Sequence, residues 1–118
     1  LNEEWKKATN KEIPQTALLV HKKLASQNPE IVSAFLSEYK KSIKWVNSNP
    51  KKAANLIVKH NILKNRLVAE QSIPRCNMHF ENIQETKEEV HEYLKIFYNM
   101  DPKTIGGTLP DEELYFKP

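Results

Sequence analysis

The chain has 118 residues, with 39% apolar and 28% charged side chains and a formal net charge of +3. Its mean hydropathy is −0.67. This describes one domain or part of one, with a modest core, and excludes a disordered polyelectrolyte. No apolar run approaches the roughly 20 residues needed to span a bilayer, and no charged-then-apolar leader is present, so no signal peptide is expected in this chain. The charge is uneven: residues 1–70 carry 13 Lys/Arg against 6 Asp/Glu, and residues 71–118 carry 5 against 9. A basic half invites a nucleic-acid reading. The same lysines also suit the solvated faces of amphipathic helices, because they interleave with apolar positions.

Taken in chain order, "LNEEWKKATNKE" reads as the end of a helix running into a loop, with Trp5 as its apolar anchor. "IPQTALLV" (Ile13–Val20) follows as the one strand candidate, a short apolar run with Pro14 near its start, where a missing N–H costs least. Two helix starts then repeat one device. Asn28–Pro29 and Asn49–Pro50 each place an asparagine at the N-cap and a proline at the first helical position. Between them Val32, Phe35, Leu36, Tyr39, Ile43 and Val46 mark one face of a helix from about Pro29 to Asn47, with Lys40, Lys41 and Lys44 elsewhere on it.

The next helix is expected from Pro50 to about His60. It buries Ala54, Leu56 and Ile57 or Val58, and Asn61 supplies a left-handed stop. A shorter helix, about Lys64 to Ser72, ends before Pro74, since the residue preceding a proline avoids the helical region. "IPRCNMHFEN" is irregular. A long helix begins near Asn82, where Asn82 and Glu85 form a capping-box pattern, and its inner face is Val90, Tyr93, Leu94 and Phe97. Asp101–Pro102 starts a single turn that Gly106 ends, and "TLPDEELYF" runs on as a docking arm.

The fold class is therefore mostly α, about five helices plus one strand. A lone apolar strand cannot saturate its own N–H and C=O groups. Its partners must come from polypeptide outside this sequence or from another copy of the chain.

Chemistry-bearing patterns are few. Cys76 and His79 are spaced C-x-x-H with no second pair, so a four-ligand zinc site is not expected. The single cysteine makes no internal disulfide and lacks the context of an activated nucleophile. Glu85, Glu88, Glu89 and Glu92 read as a solvated helix face near an N-terminus. The two glycines, Gly106 and Gly107, follow a helical turn with no lysine behind them, so they read as a helix stop and not as a phosphate loop.

"IPQTALLV", "NPEIVSAFLSEYKKSIKWVNSNPKKAANLIVKHNIL", "IPRCNMHF" and "DPKTIGGTLPDEELYF" together resemble the C-terminal part of a substrate-binding protein of an ABC importer. The resembling group is the nitrate/sulfonate/thiamine-precursor-like family with the type II periplasmic-binding-protein fold, and the likeness runs over essentially the whole chain. It implies part of an α/β two-lobed architecture, with residues 13–20 as the crossover strand, 21–100 as helices coating the first lobe, and 101–118 as the docking tail. It also implies a non-enzymatic, extracytoplasmic protein without cofactors. Its partners would be a small-molecule ligand, an ABC permease and the remaining N-terminal part of the same protein, with no nucleic acid.

Within that resemblance the irregular polar loop at Arg75, Cys76 and Asn77 is the candidate ligand-binding stretch. Arg75 would pair with an anionic group and Asn77 would hydrogen-bond, with Gln15 at the head of the crossover as a further contact. The plainer reading of the loop is that Arg75 makes a structural salt bridge and Cys76 fills core. Two other functions remain open at this point. One is a small helical interaction module meeting nucleic acid or protein through the basic N-terminal half. The other is an enzyme like the thiamine-pyrimidine-synthesis branch of the same family, which would bring Cys76 and a histidine together in a cleft.

Overall fold

The computed structural model of the chain describes residues 2–117. Among the described residues there are six α-helices: α1 (Asn2–Thr9), α2 (Lys22–Gln27), α3 (Pro29–Ser48), α4 (Pro50–Lys59), α5 (Arg66–Arg75) and α6 (Ile83–Met100). Two 3-10 turns follow, Pro102–Ile105 and Glu112–Leu114. The fold is mostly helical, as the periodicity implies. Leu1 and Pro118, the outermost residues of the expected first segment and tail, lie outside the described residues.

The expected strand does not form. Ile13–Val20 is an irregular connector, and no described residue takes part in a β-ladder. Strand propensity is realised only against a neighbouring strand, and the described residues supply none. The Ile13 N–H donates to Asn2 Oδ1 at 2.9 Å. Beyond it, no N–H from Gln15 to Val20 has a hydrogen-bond partner among the described residues. Leu18 and Leu19 stand 54% and 84% exposed.

The chain divides into two units, Asn28–Phe80 and Leu1–Gln27 with Glu81–Pro118. The first is a three-helix cluster in which α4 and α5 pack most closely. Small side chains make that approach: Ala53, Ala54 and Ala69 are buried, with Ile73 and Val32 completing the core. The expected apolar face of α3 is only partly covered. Val32 is buried and Leu36, Ile43 and Val46 are half-buried, whereas Phe35 and Tyr39 lie exposed. On α4, Ala54 is buried as expected, but Leu56 is exposed and Ala53 takes its place.

The starts of α3, α4, α5 and α6 fall into two kinds, and backbone geometry separates them. Pro29 and Pro50 open α3 and α4 as expected, but neither Asn28 nor Asn49 caps with its side chain. Their ψ angles of 57° and 54° are far from the extended geometry that aims an asparagine oxygen at the N2 or N3 amide. Asn49 also ends α3, and its Nδ2 donates back to the Trp45 carbonyl at 3.0 Å. Asn65 and Asn82, with ψ of 116° and 128°, do cap, accepting from the Val68 and Gln84 N–H groups.

Helix ends follow the same local logic with one exception. Asn61 is left-handed at φ 55° and stops α4. Pro74, however, lies inside α5, which continues to Arg75. The steric bias of a residue before proline yields here because Ile73 is 4% exposed. Its burial holds the last turn helical, and the Cys76 N–H closes that turn on Ser72 O at 2.9 Å.

The second unit is held differently. No residue of α6 is fully buried, and Val90, Tyr93, Leu94 and Phe97 are each half-covered. Trp5 of α1 meets Tyr93 with ring centroids 5.3 Å apart, and Tyr93 meets Phe97 at 4.9 Å, both tilted. After α6 the Asp101 side chain accepts from the Lys103 N–H and starts the Pro102–Ile105 turn. Gly106 (φ 87°) ends it, and the Gly107 N–H reaches Pro102 O at 2.8 Å. The glycines close a helical stop, because both occupy left-handed backbone that other residues adopt at a cost. The tail then docks on its own chain. Tyr115 is buried, Glu112 pairs with Lys87 at 3.1 Å, Glu113 pairs with Lys22 at 2.7 Å, and Gln84 Nε2 donates to the Phe116 carbonyl at 2.7 Å.

Candidate functional site

Arg75 is the last residue of α5, and Cys76 and Asn77 form the turn that leaves it. Burial of Ile73 and the rigid Pro74 ring fix where the helix stops, so Arg75 and the residues after it project outward. Asn77 takes φ 46°, a left-handed conformation that asparagine tolerates better than most residues. Its Oδ1 lies 3.0 Å from His79 Nε2. At the next residue, the Met78 carbonyl accepts from Asn47 Nδ2 of α3 at 2.8 Å, which ties the loop to the helix cluster. The result is an anchored helix end and turn that display a guanidinium, a thiol and an amide side by side.

All three side chains are exposed. Among the described residues neither half of the plainer reading is met. Cys76 is a free, exposed thiol and does not fill core. Arg75 forms no ion pair with any carboxylate among the described residues. Gln15 is exposed in the irregular connector, and it belongs to the other unit. Three of the four expected contacts are thus neighbours at the end of α5, and the fourth is not part of that unit.

Other chemistry is sparse among the described residues. No group of three His, Cys, Asp or Glu side chains is placed to hold a metal ion. No helix is long and apolar enough to cross a membrane.

The second unit holds two open depressions that the sequence did not announce. One, of ≈ 250 Å³, is bordered by Trp5, Thr9, Lys11, Glu89, Glu92 and Ile96. The other, of ≈ 400 Å³, lies where α6 meets the tail and is bordered by His91, Lys87, Glu112 and Tyr115 among others. The Tyr115 hydroxyl there is buried without a hydrogen-bond partner. Burial, and after it the Glu112 carboxylate, push its pKa above the usual 10.0. Lys87 acts in the opposite direction on Glu112, holding that carboxyl below its usual 4.5 through a hydrogen bond and charge attraction. The signal for this corner was weak in the sequence, because Lys87 and His91 sit on α6 while Glu112 and Tyr115 arrive from a turn more than twenty residues later.

Compared with protein-family models, with curated proteins and with solved structures, the chain finds no match in any of the three.

Proposed function

We propose that this chain serves as the C-terminal part of an extracytoplasmic solute-binding protein, one that captures a small molecule for an ABC importer without performing chemistry on it. One observation carries the reading: an uncharged, mostly apolar connector, Ile13–Val20, exposes Leu18 and Leu19 and leaves the six N–H groups from Gln15 to Val20 without a hydrogen-bond partner among the described residues. Backbone exposed in this way is open to pairing with strands of another segment, which would also cover its aliphatic side chains. A two-lobed α/β body supplies that cover, with this segment as the crossover between lobes. The sequence resemblance over the whole chain points the same way. The other exposed apolar side chains, Phe35 and Tyr39 on α3 among them, are accounted for by the same missing body.

In this reading Arg75 offers its guanidinium to an anionic group of the solute and Asn77 a hydrogen bond, with Cys76 between them and Gln15 at the head of the crossover. The loaded protein then docks on an ABC permease. The test is the gene product made from its own start codon. The reading expects a protein of about 35 kDa, the size of two lobes, that binds one small solute saturably in calorimetry. A product matching the 13.8 kDa of this chain would overturn it. In the intact protein, Arg75→Met should weaken binding of an anionic solute by about tenfold or more, the loss of a charge-assisted hydrogen bond.

A further inference from the structure

We draw no further inference here: the strongest candidate, the buried Tyr115 hydroxyl beside the open depression between α6 and the tail, has almost no accessible surface through which to meet a ligand, and nothing in the structure shows what covers the exposed apolar stripe of α3 at Ile31, Phe35 and Tyr39.

Discussion

The two units reach order by opposite means. In Asn28–Phe80 the helices meet through three buried alanines and two buried branched side chains, Val32 and Ile73. In the unit built on α6, Tyr115 is the one fully buried apolar residue among those described, and the rest is half-covered aromatic rings and exposed ion pairs. The first arrangement depends on volume, since close-packed small residues leave no slack. The second depends on a tail that is clasped at its ends by charge and plugged by one ring. Changes of side-chain size should therefore strike the first unit, and changes of pH should strike the second.

The largest expected effect tests the volume half of that contrast. Ile73→Ala removes a branched side chain that is 4% exposed at the core of the three-helix cluster. Deletions of this kind cost about 2–5 kcal/mol. Most of the stability of a small unit would go with it. Hydrogen exchange followed by mass spectrometry should show loss of protection across α3, α4 and α5, with α6 unchanged. Equal loss in both units would mean that they fold as one and that the comparison is misdrawn.

The reach of the sequence follows the same division. α3, α4 and α6 were legible because each joins a proline or asparagine start to apolar residues at helical spacing, and α4 adds the left-handed stop at Asn61. The helical stop at Gly106–Gly107 was legible for the same reason. What failed was information carried by distant parts. Asn28 and Asn49 have the right identity for caps, but the approach of the preceding chain sets a ψ that misaims them. Pro74 reads as a breaker until the burial of Ile73 is known. Ile13–Val20 has strand composition without strand partners, so its propensity says what it would do in a sheet and not that a sheet is present. Of the candidate site, the run Arg75–Asn77 was visible as an irregular polar loop, and its exposure was not, because exposure depends on which faces of α5 the other helices cover.

A smaller effect is expected at the glycine stop. Gly106 sits at φ 87° with nothing within 4 Å of where a Cβ would be. Gly106→Ala thus meets no clash and isolates the backbone penalty of a left-handed residue, about 1–2 kcal/mol. Urea unfolding monitored on the α6 unit should register that loss, and the α3–α5 cluster should not. Tyr115→Phe should move the same unit the other way. It removes a hydroxyl that is buried without a partner and keeps the ring, so stability should rise by up to about 1 kcal/mol. A decrease would reveal a hydrogen bond to that oxygen.

The smallest effects are electrostatic, and they separate the two units by pH alone. Glu112 is held below its usual 4.5 by the Lys87 ammonium, so the ionised form is favoured by folding. Its contribution is complete above pH 4.5 and fades as pH falls through the depressed value, when the carboxyl takes a proton and the clasp opens. Lys22 is raised above 10.5 by its hydrogen bond to Glu113, and Tyr115 above 10.0 by burial. Both contributions are intact at neutral pH. That of Tyr115 declines from about pH 10.0 upward and that of Lys22 from about 10.5, each as its own proton is lost. Because the ion pairs are exposed, added salt should weaken them further. Amide exchange at Glu113–Phe116 should therefore quicken at both ends of the pH range, once corrected for intrinsic rates, while Ala53, Ala54 and Ala69 keep their protection throughout. If the alanine amides lost protection in step with the tail, charge would be holding both units, and the contrast between a packed cluster and a clasped tail would fall.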